Sequence, residues 1–200
     1  MKKLKKEKKK VDYKSFTVNE IKQELKRETH KSKFTKMLKS TIYTLVIIAA
    51  ISTLIATFVI PVLQISGSSM NTVLKEGDIV LSIKKNNFKQ GDVIAFYHGN
   101  KILVKRVIAG SGNFVSINDD GLVYVNGKKL EEEYITKFSM GDGDIKYPYQ
   151  VPDSSWFVLG DERELSVDSR NSDIGSISKE NIIGKVIFRV WPLNRIGKIE

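Results

Sequence analysis

The longest apolar stretch of the chain, residues 40–63 (STIYTLVIIAAISTLIATFVIPVL), holds no charged side chain. About 20 apolar residues are enough to cross the hydrocarbon core of a bilayer as a helix, so the stretch predicts a membrane-spanning anchor. Lys36 and Lys39 flank its amino end, and Pro61, where a helix can stop, stands near its carboxyl end. A cleaved signal sequence has a shorter basic lead, an apolar core of roughly 7–15 residues and an Ala-x-Ala-like site behind it, and the stretch fits a permanent anchor better. Upstream, Thr17 and Glu20 have the spacing of a capping box, with Val18, Ile21 and Leu25 on one helical face. Three apolar residues mark a solvated juxtamembrane helix better than one lying on a membrane surface.

Past the anchor the rhythm changes to short runs with strand character. These are Asp78–Ile83, Asp92–Tyr97, Ile102–Ile108, Phe114–Ile117, Leu122–Val125, Trp156–Leu159 and Ile182–Val190. Asp120-Gly121 reads as a hairpin turn and Asn126-Gly127 as a second turn signal. No strong helical period follows residue 70. The expected fold is mostly β: one N-terminal transmembrane helix, then an antiparallel sheet or barrel-like domain with a small inserted β region. The expected division is a basic tail over 1–39, the anchor over 40–63, and a β-rich domain over 64–200 with about 112–155 inserted or peripheral.

Charge sharpens this division. The chain carries a net charge of +10, yet residues 1–39 alone hold 15 Lys/Arg against 5 Asp/Glu, and the rest holds 18 of each sign. The basic balance therefore belongs to the tail, which places the amino end on the cytoplasmic side under the positive-inside rule. The lysine run at 2–10 is expected to be disordered and held near anionic headgroups. The remaining domain is neutral and has no basic face, which argues against nucleic acid as a partner. There is no cysteine, which excludes disulfides and a thiol nucleophile. His30 and His98 lie on opposite sides of the apolar run, so no two-histidine metal site is expected.

Three places carry candidate chemistry. In ILVKRVIA, side-chain alternation puts Leu103, Lys105, Val107 and Ala109 on one face of a strand, with Ile102, Val104, Arg106 and Ile108 on the other. Lys105 thus has apolar neighbours on both sides, where burial lowers an amine's pKa and makes it a competent base. The alternative is that Lys105 snorkels from an edge strand. Ser69, in Ser66-Gly67-Ser68-Ser69-Met70, lies in a turn-forming stretch and is the candidate nucleophile, although such a serine is ordinary without a base. Either His98 in an exposed YHGN turn or Lys105 is available for that role; a Ser-Lys pair needs no histidine. The third place is LGDERELSVDSRNS, residues 159–172. Its charges form either a surface ion-pair network of little energetic weight or a scaffold that fixes the lysine and serine.

These stretches, in this order behind an amino-terminal anchor, resemble the type I signal peptidases, membrane-bound Ser-Lys proteases that remove signal peptides from exported proteins. GSSMNTVLKEGDIV is similar to the family's serine box, VKRVIAGSG to its lysine box, GDERELSVDSR to its Gly-Asp-x-Arg…Ser-x-Asp-Ser-Arg box and NIIGKVIFRVWPLNRIG to the closing strand and tail. The match covers roughly residues 40–198, and the single anchor with a short β domain resembles the Gram-positive members. The resemblance implies that Ser69 attacks the scissile carbonyl, that Lys105 takes its proton, and that Ser166 hydrogen-bonds and orients the Lys105 amine. It further implies Asp161, Asp168 and Arg170 as structural supports, Met70 as a wall of the pocket for the residue before the cut, and the Ser69 N–H as an oxyanion donor. No cofactor or metal is implied. The partners would be the lipid bilayer and preprotein signal peptides with small residues one and three positions before the cut, laid beside a strand edge. The catalytic domain would be extracytoplasmic on the cell membrane.

The chain departs from the family pattern at Thr72, where the serine box usually has proline, and at Gly67, where some relatives carry a serine that donates to the oxyanion. Ser66 and Ser68 lie near for that second donor. Six residues separate Leu63 from Ser69, at most about 20 Å of extended chain, which keeps the serine close to the bilayer. Two other readings are open: a self-cutting Ser-Lys enzyme like the SOS-response repressors, and a specialised or non-catalytic factor for surface-fibre (pilus) assembly built on the same scaffold.

Overall fold

The computed structural model describes residues 17–199, and the lysine run at 2–10 lies outside them. The chain divides into two units, Met1–Thr53 and Leu54–Glu200. A single helix, α1 (Val18–Val59), runs through the first; its 42 residues make it about 63 Å long. The backbone N–H and the hydroxyl of Thr17 both donate to Glu20 Oε2 at 2.8 Å, which fixes the start of the helix. The charged helix and the apolar run are therefore one continuous helix. The hydroxyls of Thr41, Thr44 and Thr53 donate to the carbonyls four residues back at 3.0, 3.0 and 2.8 Å, so these three are satisfied inside the helix. Every side chain from Val18 to Leu54 is exposed, apolar ones included. By length and composition the helix can cross a membrane. It stops at Val59, two residues before Pro61, so residues 60–63 of the uncharged run lie beyond its end.

Those last residues lead into β1 (Val62–Gln64) of the second unit. Then come β2 (Ile79–Ile83), β3 (Val93–His98), β4 (Lys101–Gly110), β5 (Phe114–Ile117), β6 (Val123–Val125), β7 (Lys128–Lys129) and β8 (Tyr149–Gln150). β9 (Ser155–Leu159), β10 (Ile177–Ser178), β11 (Ile182–Trp191) and β12 (Gly197–Lys198) complete the chain. The main sheet has the order β1-β2-β11-β3-β4-β9-β10 with β12 on β11, and the smaller sheet the order β7-β6-β5-β8. Every pairing is antiparallel, and no barrel closes among the described residues. Asn126 and Gly127, at φ 52° and 76°, make the tight turn from β6 to β7 that their sequence predicts.

β9 is buried along its whole length because both faces are covered. Trp156 and Val158 pack with Phe96 and Val107, while Phe157 and Leu159 pack with Ile108 and Val115. β4 carries a bulge: Val107 pairs with Val158 but Ala109 with Phe157, so Ile108 is the extra residue. Ala109 therefore turns into the cluster of Ile108 and Phe157, away from the face of Lys105 and Val107 on which simple alternation puts it.

The main sheet is left open along two edges. β4 is paired with β3 from Lys101 to Arg106, whereas β9 joins its other side only from Arg106 onward. β1 is paired with β2 alone. The far edges of β1 and of the first half of β4 thus have no strand partner among the described residues.

Candidate active site

The Ser69 turn is built from sequence-local rules. Gly67 sits at φ +91°, a conformation that disfavours any side chain. Beyond it the chain winds through one helical turn, with Asn71 N–H donating to Ser68 O at 3.1 Å and Leu74 N–H to Met70 O at 2.7 Å. Met70 and Leu74 anchor this turn in the core cluster of Leu63, Val80 and Val186. Ser69 is left half-buried, its carbonyl held by the Glu162 N–H at 3.0 Å.

Lys105 enters from β4, where it pairs with Ile94 of β3. Its side chain is 3% exposed, which removes the snorkelling alternative. Its Nζ lies 2.6 Å from Ser69 Oγ and donates to it. Burial pushes the amine down from its ordinary 10.5 to about 8; Asp168 and Asp161 raise it and Arg170 lowers it, all less than burial does. His98, the other possible base, lines the same cleft as Ser69 and Lys105 at the end of β3. It has no hydrogen bond to Ser69; the serine's partner is the lysine.

The charges of residues 159–172 are mostly inside. Asp161, Arg163, Asp168 and Arg170 are buried, while Glu162 is half-buried and Glu164 exposed, so the surface-network alternative fails. Asp161 receives Arg106 Nε at 2.9 Å and Nη2 at 2.8 Å, and the Thr72 hydroxyl at 2.9 Å. Asp168 receives Arg170 at 2.8 and 2.9 Å and the Gly160 N–H at 2.9 Å. Arg170 also donates to the carbonyls of Met140 at 2.8 Å and Arg163 at 2.7 Å, tying three loops together. Arg163 pairs with Glu132, whose carboxylate also accepts the Tyr134 hydroxyl at 2.8 Å. The Arg106 guanidinium lies 4.0 Å above the Tyr134 ring. Glu132, Arg106 and Tyr134 carried no recognised signal as site residues, because Arg163, Asp161 and Arg106, which respectively hold them, are far away along the chain.

Ser166 is the exception to the expected arrangement. Its hydroxyl is buried and has no hydrogen-bond partner among the described residues, so the bond to the Lys105 amine is not formed. The hydroxyl is instead turned against Gly160, where an added Cβ would meet Ser166 Oγ at 2.2 Å and the Ser69 carbonyl oxygen at 2.8 Å. Gly160→Ala is therefore expected to displace the serine turn. Thermal unfolding should show a loss of about 1–3 kcal/mol from overpacking. An alanine chain with full stability and an unchanged Ser69 environment by NMR would contradict the contact.

Two clefts meet at Ser69. One, about 180 Å³, runs between the free edges of β1 and β4 and is lined by Leu63, Ile65, Gly67, Met70, Leu103 and Val104. The other, about 430 Å³, opens past Lys105 toward His98, Lys101, Leu165 and Val167. Among the described residues no group of acidic and histidine side chains could hold a metal ion.

The family described as "Signal peptidase, peptidase S26" matches residues 38–191 of the chain. Signal peptidase I of Bacillus amyloliquefaciens is 33% identical over 165 residues, 77% of this chain and 88% of its own. Signal peptidase IB of Staphylococcus aureus (strain Mu50 / ATCC 700699) is 37% identical over 163 residues, 70% of this chain and 83% of its own. The crystal structure of a signal peptidase I from Enterococcus faecalis V583 is 30% identical and superposes over 52% of this chain and 98% of that one, with a TM-score of 0.41.

Proposed function

The chain belongs to the S26 family of signal peptidases, and from that premise we propose that it removes signal peptides from exported preproteins with Ser69 as nucleophile and Lys105 as general base. The observation that carries the residue assignment is the 2.6 Å approach of a buried amine to a half-buried hydroxyl. Once the amine has lost its proton, the contact runs the other way, with the Ser69 hydroxyl donating to the nitrogen lone pair. As Ser69 Oγ attacks the scissile carbonyl carbon, its proton passes to Lys105 Nζ. The Ser69 N–H faces the developing oxyanion. When the carbon–nitrogen bond breaks, Lys105 returns the proton to the leaving amine. A water then attacks the acyl-enzyme carbonyl and loses a proton to Lys105 Nζ; as the ester carbon–oxygen bond breaks, Lys105 returns that proton to Ser69 Oγ, and the cut signal peptide departs with a new carboxyl end.

The substrate would add a strand in the gap between β1 and β4, hydrogen-bonding to the two free edges. The residue before the cut would lie against Met70, Leu103 and Val104. Asp161, Asp168 and Arg170 would support the site by holding the loops around it. α1 would anchor the chain in the membrane with its basic end cytoplasmic and the β domain outside. Both catalytic side chains are present and in contact, which leaves the non-catalytic assembly factor without support; the same anchor disfavours a self-cutting repressor-like enzyme.

The test is cleavage of a labelled preprotein by the purified full chain in detergent, with the cut site read by mass spectrometry. Lys105 works only when neutral, so the rate should rise with pH through an apparent value near 8 and level off above it. A flat profile between about pH 6 and 9, far below the ordinary lysine value of about 10.4, would exclude the lysine as base.

A further inference from the structure

The cleft between β1 and β4 does not end at β1. Val62 and Leu63 of β1 and Ile102 of β4 line it and also line a second cleft of about 530 Å³, whose further walls include Tyr97, Ile182 and Ile183, with Lys84 among its lining residues. Its rim is apolar and open: Val62, Tyr97 and Ile102 are 61%, 54% and 44% exposed. Scattered exposed apolar residues need no explanation, but a continuous apolar trough that runs up to a candidate nucleophile does. Among the described residues, Lys84 is the one charged residue lining it.

We propose that this second cleft is an upstream subsite that holds apolar side chains of the preprotein about five to seven positions before the cut; the proposal rests on the signal-peptidase reading of the chain. Val62 stands seven positions before Ser69. An extended substrate laid along β1 advances about 3.3 Å per residue, as the strand beside it does. With its scissile carbonyl at Ser69 and its next residues against Met70 and Val104, its upstream end arrives beside Val62 and Tyr97 after roughly that many positions, the turn at residues 66–68 shortening the path. A signal peptide is apolar there, because its apolar core precedes the cut site. Occupant and trough thus agree in chemistry, in position and in continuity with the cleft at Ser69. Lys84 among the lining residues disfavours a basic residue at the same depth.

The test uses the full chain in detergent and peptides with alanine fixed at the first and third positions before the cut. At the fifth to seventh positions the peptides carry leucine, serine or lysine. The natural chain should cleave the leucine series with kcat/KM about tenfold above the serine series, the discrimination expected of an apolar pocket. Tyr97→Ser, a change at an exposed position, should bring that ratio to about twofold or less, while a companion peptide pair with alanine or leucine just before the cut keeps its preference for alanine. Lys84→Glu should raise cleavage of the lysine series several-fold relative to the serine series. A ratio near one in the natural chain, or a ratio untouched by both substitutions, would overturn the subsite. So would a leucine preference that vanishes in phospholipid vesicles, which would mean that an acyl chain fills the trough. If the natural chain cleaves no peptide, the peptidase reading fails on its own. The subsite is then judged by cross-linking a peptide with a photoreactive group six positions before the cut to the Ser69→Ala chain. Attachment within residues 97–102 or at 182–183 supports it, and attachment elsewhere refutes it.

Discussion

A Lys105→Met chain is expected to lose preprotein cleavage by on the order of 10⁴-fold or more, as enzymes do when a member of the nucleophile–base unit is removed. The same chain should be more stable than the natural one at pH 7. Burial pushes the Lys105 amine from 10.5 down to about 8, so carrying its charge inside the fold costs about 3 kcal/mol. The sign follows from proton counting. Below about pH 8 the amine is charged in both the folded and the unfolded chain, and the full cost is present. Between about 8 and 10.5 the unfolded chain binds the proton and the folded chain does not, so stability rises with pH. Above that window the cost is gone. Methionine fills similar volume without a charge, so its advantage should be several degrees in melting temperature at pH 7 and should fade by pH 10.5. Ser69→Ala should lose activity to a similar extent without that gain, because it removes no buried charge. Retained cleavage by either chain would exclude the proposed pair. A methionine chain whose relative stability does not change with pH would mean that Lys105 carries no such penalty.

Much of the β domain was legible because period-2 alternation and turn chemistry agree in it. Asp92–Tyr97 became β3, shifted by one residue, Phe114–Ile117 became β5, and Asn126-Gly127 made the tight turn after β6. β1 was not, because an apolar edge strand and the end of an apolar helix look alike, and Pro61 was the single sign of a boundary. The paired residues of β8, β10 and β12 are too short to carry any period. Alternation misplaced Ala109 because a bulge at Ile108 adds a residue that no local signal marks. At the site, Lys105 stood out as an ionisable group in an apolar strand. Arg106 beside it did not, since its importance comes from Asp161, 55 residues away. Glu132 and Tyr134 were hidden likewise, being brought to Arg163 and Arg106 only by the folding of an unpatterned loop. Ser166 shows the converse limit: motif position implied a bond to the lysine, and side-chain direction did not provide it.

Asp161→Ala is expected to destabilise the β domain by about 3–5 kcal/mol, the usual result of removing one partner from a buried ion pair. Arg106 and Asp161 are 3% and 1% exposed, so the guanidinium would stay desolvated with only the Gly91 carbonyl at 2.9 Å and the Tyr134 ring beside it. The same carboxylate holds Thr72, which stands where the family usually has proline. A proline ring would stiffen the turn from within; here a hydroxyl ties the turn to Asp161, the partner of the Arg106 beside Lys105. Thr72→Val should therefore cost only about 1 kcal/mol of stability, since the bond is partly exposed. It should lower kcat more than it raises KM, because the serine drifts from the amine while the cleft is unchanged. Thr72→Ser restores the hydroxyl and should restore kcat. The decisive comparison is the double variant. With Asp161 already alanine, Thr72→Val has no partner left to lose and should change neither stability nor kcat further. If the two losses simply add, hydroxyl and carboxylate act independently, and the turn is held by its own backbone bonds.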